Sequence, residues 1–371
     1  TTELKSLNPH QQLVLSVASK ALKPIKNKQL RQSTGVFVGI SSTTVVPPAV
    51  GNFTAAGISH CVTANRISYL LDCQGPSMVI DTACSSSLIA IHTAKQHLQA
   101  KSCKLALVAG VNVLHDSCET ILIESANMLS TSSRCRSFDN GANGYVRSEG
   151  CGVILLAPEN IITAHKLPKL AELRSTVCSH NGYSLASMVA PNGKIQAQMM
   201  DKALKEGKLN SNDVDYLETH GSGTEIGDSI EFGAIKEVYE NKHTKRENPL
   251  FIGSIKSNIG HLEGAAGIIG FIKSVLIIQH RKITPNLHCM NPLDEILESK
   301  INVSRKTCHK ITGNSVCVGM SSFGFGGSNC HALITNCSSN SGNKLITFSR
   351  LPFTKSVVFT NYKHPLIQAI N

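Results

Sequence analysis

Short runs that are apolar throughout alternate along the chain with segments whose apolar residues recur every three or four positions. TGVFVGI (34–40), MVI (78–80), KLALVAGVNVL (104–114) and CGVILLAP (151–158) predict strands, the last stopped by Pro158. HQQLVLSVASKAL (10–22) and HCVTANRISYLLD (60–72) predict helices, and Leu88, Ile89, Ile91 and Ala94 predict a third. A polar basic loop follows the first helix, and residues 41–57, with Pro47, Pro48, Gly51 and Gly57, read as another loop.

The same rhythm then restarts. KLAELRSTVCSH (169–180) and VDYLETH (214–220) predict strands, and PLFIGSIKSNIGH (249–261) a strand running into a glycine turn. IQAQMMDKALKEG (195–207) and DSIEFGAIKEVYE (228–240) predict helices, the first closed by Gly207. GAAGIIGFIKSVLIIQHRK (264–282) is apolar on nearly every face and predicts a buried helix. SVCVGMSSFGFGGSNCHALI (315–334) predicts two strands about a glycine turn. Continuously apolar strands alternating with helices imply α/β sheets covered on both faces. The expected organisation is two similarly built halves, 1–160 and 161–335, without a sequence repeat, and a low-complexity linker-like tail at 336–371.

Composition narrows the class. The chain has 371 residues, 41% hydrophobic and 16% charged, in the range of a folded protein with a sizeable core. The polar opening TTELKSLNPHQQ has no signal-peptide pattern, and the longest apolar stretch is cut by Lys273. The expectation is a soluble cytoplasmic protein, with no membrane partner. The 13 cysteines are odd in number and irregularly spaced, with no CxxC pair, so reduced thiols are expected, and no metal site. The net charge of +11 is spread without a Lys/Arg block, which reads as a solvated basic surface and not as a nucleic-acid site, with attraction to an acidic protein partner as the sharper alternative.

Chemistry concentrates at the junction SMVIDTACSSSLIAIHTA (77–94), where Cys84 sits between a strand and a helix. Such a turn presents the first side chain of the helix at the end of a sheet, where unpaired N–H groups lower a thiol's pKa from ~8.5. The small neighbours Ala83, Ser85, Ser86 and Ser87 are expected to leave room for a substrate. Cys84 is therefore a candidate nucleophile, with a buried structural cysteine as the plainer reading. Three further stretches strengthen the case: LETHGSGTEIGD (217–228) with His220, SIKSNIGHLEGAAG (254–267) with Lys256 and His261, and the glycine turn SSFGFGGSN (321–329).

Together with DTACSSSL, GYVRSEGCGV and APNGK, these stretches resemble the β-ketoacyl synthase (ketosynthase) domains of type I polyketide synthases and animal-type fatty acid synthases, from about Leu7 to Ile334. The resemblance implies a thiolase-like five-layer αβαβα fold of two similar halves with mixed sheets, acting as a homodimer. It implies an acyltransferase in which Cys84 takes an acyl group from the phosphopantetheine thioester of an acyl carrier protein. A malonyl-type extender then loses carbon dioxide, and its enolate attacks the Cys84 thioester. No bound cofactor or metal is implied. His220 and His261 would stabilise the enolate through Nε2–H. The backbone N–H groups of Cys84 and Phe325 would form an oxyanion hole, and the Phe325 ring would gate the acyl pocket. Lys256 and Glu263 would be supporting residues, Lys256 orienting His261 and Glu263. Ser222 and Thr224 would hold the pantetheine arm.

The chain departs from the family's pattern in several places. The family's opening strand and glycine-rich turn have no counterpart before LNPHQQLVL, so an open sheet edge and a fragment of a longer protein are expected. Gln12 stands at a usual arginine, the 41–57 loop is short, and GSGT replaces GTGT. LITFSRLPFTKS resembles the linker to an adjacent acyltransferase domain. The alternatives are another thiolase-fold acyltransferase and a scaffold-like, catalytically impaired ketosynthase fragment.

Overall fold

The computed structural model describes residues 7–41, 51–115, 117–183, 187–240, 246 and 248–337. Most of the 41–57 loop and nearly all of the expected linker tail lie outside them. In the first half, helix α1 (Pro9–Leu22) and the short α2 (Lys28–Gln32) precede strand β1 (Thr34–Ile40), then α3 (Thr54–Ile58), α4 (His60–Leu71), β2 (Ser77–Ile80), α5 (Ser86–Gln99), β3 (Leu105–Asn112), α6 (Cys118–Ser125), β4 (Gly150–Leu156) and α7 (Glu159–His165). The basic segment read as a loop thus holds α2, because Asn27 caps it by accepting from Leu30 N at 2.9 Å. In the second half come β5 (Glu172–His180), α8 (Gly193–Gly207), β6 (Tyr216–Glu218), α9 (Glu225–Tyr239), β7 (Leu250–Gly253), the one-turn α10 (Lys256–Ile259) and α11 (Ala266–His280). Then follow β8 (Lys282–Ile283), α12 (Asp294–Leu297), β9 (Ile301–Val303), β10 (His309–Lys310), β11 (Cys317–Phe323) and β12 (Ser328–Thr335).

The two main sheets repeat one pattern that the sequence does not. The first has the order β2-β1-β3-β4, with β1 parallel to β2 and β3, and β4 antiparallel to β3. The second contains β7-β6-β11-β12 with the same directions, extended by β9 beside β7 and by β5 antiparallel to β12. Among the described residues β4 has no partner equivalent to β5, which leaves the edge that the sequence led us to expect.

These sheets alternate with helices in five layers. Helices α1 and α4 cover the outer face of the first sheet, and α8 and α9 cover that of the second. Helices α5 and α11 lie between the sheets and touch both. Period-two alternation sorts the side chains: Val36, Val38 and Ile40 join the outer core with Val14 and Ala18, while Phe37 points inward to Leu88, Ile91, Ile268 and Phe271. The central helices approach closely, since a Cβ on Gly267 would lie 2.6 Å from Leu88 N. Lys273, on the largely apolar α11, is buried against Glu218 (2.7 Å) and the Tyr216 hydroxyl (2.9 Å). All 13 cysteines are unbridged. No helix among the described residues is long and apolar enough to cross a membrane.

Candidate active site

Cys84 follows a sharp elbow between β2 and α5. Ala83 is in the left-handed region at φ 55°, which costs a non-glycine residue energy and must be held by its surroundings. The serines supply that hold. Ser86 Oγ donates to Ala83 O (2.6 Å) and accepts from Thr82 N (2.9 Å), while Ser85 Oγ donates to Thr82 O (2.8 Å). Ser87 Oγ accepts from Ile268 N at 2.9 Å and so ties α5 to α11. The serines are thus fully buried staples of the elbow, a role that the sequence reading did not give them.

The second half closes over this elbow. Ser322 Oγ on β11 donates to Cys84 O at 2.8 Å. Its neighbour Phe323 donates its N–H to His220 Nδ1 at 3.3 Å, with the two rings 5.5 Å apart. His220 and His261 meet edge to face at 5.5 Å between ring centres. His261 Nδ1 accepts from Glu263 N at 2.9 Å. A backbone donor therefore occupies Nδ1 of each histidine, so each neutral ring carries its proton on Nε2. Burial, aided by the Lys256 cation, holds both well below the usual imidazole pKa, and they stay neutral.

The thiol behaves otherwise than expected. Cys84 is 9% exposed, and burial, reinforced by the Glu263 carboxylate, pushes its pKa up to about 12 against the pull of Lys256. Loss of solvation outweighs the helix N-terminus, so the resting sulfur is protonated.

The supporting residues are also rearranged. Lys256 Nζ donates to the His220 carbonyl at 2.5 Å, so it steadies the His220 loop rather than orienting His261 or Glu263. Glu263 is gripped by Arg147, whose Nε and Nη2 lie 2.6 and 2.8 Å from its oxygens, and Arg147 also reaches Glu119 at 2.6 Å. The His220 loop is fastened by Glu231, which accepts from His220 N and Gly221 N, both at 2.8 Å. Asp228 accepts from Phe138 N at 2.8 Å and from Gly223 N at 3.2 Å, and burial pushes its pKa up to about 6. Arg147, Glu231 and Asp228 were not assigned roles from the sequence. The signal was there for the last two, which interrupt the apolar face of α9 beside Phe232 and Ile235.

Ser222 is buried with its hydroxyl 3.1 Å from that of the half-buried Thr224, on the loop after β6. That loop packs against Cys135 and Arg136. A cavity of about 290 Å³ opens nearby, lined by Arg134, Cys135, Lys256, Ser257, Gly260 and His288. Phe325 caps the β11–β12 turn and is 55% exposed, whereas the Phe323 ring lies against His220. The turn does reach the elbow, because a Cβ on Gly324 would strike Thr82 O at 2.3 Å.

Comparison with known proteins agrees with this architecture. The family model "Beta-ketoacyl synthase, N-terminal domain" matches residues 1–160, and "Beta-ketoacyl synthase, C-terminal domain" matches residues 170–290. The chain is 34% identical over 372 residues to Probable polyketide synthase 1 of Dictyostelium discoideum, covering 91% of this chain and 12% of that protein. It is 39% identical over 345 residues to a phenolphthiocerol/phthiocerol polyketide synthase of Mycobacterium tuberculosis, covering 90% of this chain and 18% of that one. Among solved structures, the oxazolomycin ketosynthase domain of Streptomyces albus superimposes with a TM-score of 0.84 at 30% identity, covering 92% of this chain and 61% of that chain. The chain thus spans under a fifth of those polyketide synthases and about three fifths of that ketosynthase. Its fold is the thiolase-like fold of the ketosynthases, and with both parts of the family pattern matched in order along it, the chain belongs to the β-ketoacyl synthase family.

Proposed function

We propose that this chain catalyses decarboxylative Claisen condensation as the ketosynthase domain of a polyketide synthase, extending an acyl group held on Cys84. The observation that carries the reading is the pair of neutral imidazoles, each with Nδ1 occupied by a backbone donor and Nε2–H left to donate. Cys84 attacks the thioester of an acylated phosphopantetheine arm, and its proton leaves with the departing pantetheine thiol. Covalent storage divides a hard condensation into two easier steps. A malonyl thioester then enters and releases carbon dioxide. Its enolate oxygen is stabilised by Nε2–H of His220 and of His261, and no proton need move onto either ring. The enolate carbon attacks the Cys84 thioester carbonyl, the Cys84 thiolate leaves, and it regains a proton. The N–H groups of Cys84 and Phe325 stabilise the oxyanion of each acyl-transfer step.

The partner is an acidic acyl carrier protein, attracted by the chain's net charge of +11. Its pantetheine arm passes Ser222 and Thr224, beside the cavity that carries Arg134 and His288. A second copy of the chain pairs along β2, an edge strand that is half-buried over its whole length and lies beside the 85%-exposed Tyr69. The complete protein works in the cytoplasm with an adjacent acyltransferase domain. Retention of the cysteine and both histidines in one site speaks against a scaffold role.

The test is carbon dioxide release from a malonyl thioester together with labelling by a thiol-directed ketosynthase inhibitor. Cys84→Ala should abolish labelling, and His220→Ala and His261→Ala should each cut release at least ~100-fold. Labelling that survives Cys84→Ala, or release indifferent to both histidine changes, overturns the reading.

A further inference from the structure

A second cysteine site lies on β5 and β12, behind the elbow that carries Cys84. β5 and β12 pair antiparallel with Cys178 directly opposite Cys330. Their sulfurs are 3.3 Å apart. A disulfide bond is ~2.0 Å long, so a small side-chain rotation brings them together without changing the strand register. The pair is packed against α5, the helix that begins just after Cys84. Cys330 Sγ donates to Leu88 O at 3.7 Å. His92, also on α5, is oriented by Thr176, whose Oγ1 lies 2.9 Å from its Nδ1.

The two sulfurs differ in the ways that disulfide formation requires. Cys178 is half-buried and reachable by a small oxidant, whereas Cys330 is fully buried. The hydrogen bond between the two sulfurs, with His92 and the Lys95 ammonium, draws the Cys178 pKa down in spite of burial. Burial and the neighbouring Cys178 sulfur push Cys330 up. One partner is thus the readily ionised nucleophile and the other a resolving thiol.

We propose that Cys178 and Cys330 form a redox-sensitive dithiol that closes to a cross-strand disulfide on exposure to a peroxide. The Cys178 thiolate attacks the O–O bond, giving Cys178 sulfenic acid and hydroxide. Cys330, losing its proton to that hydroxide, attacks the Cys178 sulfur, and the S–O bond breaks. The second hydroxide departs and takes up the proton that Cys178 gave up on ionising. In sum, two thiols and one hydrogen peroxide become one disulfide and two water molecules. Closure bonds the outer strand β5 to β12 and withdraws the Cys330 hydrogen from Leu88, one turn after Cys84 on α5.

The experiment exposes the whole reduced chain to hydrogen peroxide, blocks the remaining thiols and maps its peptides without reduction. It is run in parallel on Cys84→Ala, which removes the other oxidisable thiol of interest. The expected result in both is a linked pair of peptides carrying Cys178 and Cys330, two hydrogens lighter than the separate peptides and separated again by dithiothreitol. With Cys178→Ser, Cys330 should remain fully alkylatable after unfolding. The wild-type map decides the matter even if that variant does not fold. Recovery of Cys178 as a blocked thiol or a higher oxide, with no linked pair, overturns the proposal.

Discussion

Replacing Arg147 with Met tests how the site is held. The guanidinium is 4% exposed and grips a Glu263 carboxylate that is 8% exposed, through bonds of 2.6 and 2.8 Å. Among the described residues, removing it leaves Glu263 in a dry site with Asn112 Nδ2, at 3.3 Å, as its one remaining side-chain donor. Breaking a buried pair from one side costs about 3–5 kcal/mol, a large part of the ~5–15 kcal/mol that holds a typical domain folded. Much of that cost is the unpaired charge, so Arg147→Met with Glu263→Gln should recover roughly 2 kcal/mol of the loss.

The deficit should also depend on pH. Arg147 lowers the pKa of Glu263 against the raising effect of burial, so its removal raises the folded-state value further. A carboxyl raised above its unfolded value is most stable in the fold when protonated. The deficit should therefore shrink as pH falls toward about 5 and grow as pH rises through the folded pKa. Urea unfolding followed by far-UV circular dichroism suits a chain without Trp. A single variant within ~1 kcal/mol of wild type, or a double variant no more stable than Arg147→Met, would refute the reasoning.

Three other outcomes follow from the same geometry. Lys256→Met removes a charged donor from the His220 carbonyl, worth about 1.5–3 kcal/mol, and takes away a cation that depresses the His220 pKa. Its urea midpoint should fall and the His220 imidazole should titrate at higher pH by NMR; an unchanged titration contradicts this. Gly267→Ala puts a methyl 2.6 Å from Leu88 N, which should cost roughly 1–3 kcal/mol and slow labelling of Cys84; wild-type stability would show that α5 and α11 can part freely. His331 is buried and held down to about 3, so the unfolded chain takes up its proton below ~6.5 and stability is lost as pH falls through that window. Between about pH 7.5 and pH 5 this one residue should account for about 2 kcal/mol, and His331→Gln should lose that much less across the interval in parallel urea titrations.

Much of the fold was legible because its information is local. The unbroken apolar run TGVFVGI already marks β1 as covered on both faces, and the break in periodicity at Cys84 already marks the elbow. The nearly all-round apolar pattern of 264–282 placed α11 in the interior. The one-turn α10 was hidden inside a run read as strand, since four residues carry no period. The equivalence of the two sheets was invisible as well, because strand order is a property of pairing and the halves share a rhythm rather than residues.

By itself, the sequence determined the long central strands and helices and which cysteine stands at a strand–helix junction, because a few neighbouring residues settle those matters. Only the tertiary structure decided how that cysteine is charged and what its surroundings do. Desolvation by the whole fold, an effect no neighbour in sequence reports, raises the Cys84 pKa where the local helix end would lower it. The partners of Glu263 and His220 likewise come from Arg147, more than a hundred residues earlier, and from β11, about a hundred later. A buried charge takes its partner from whatever the fold brings within hydrogen-bond reach, and spacing along the chain does not encode that reach.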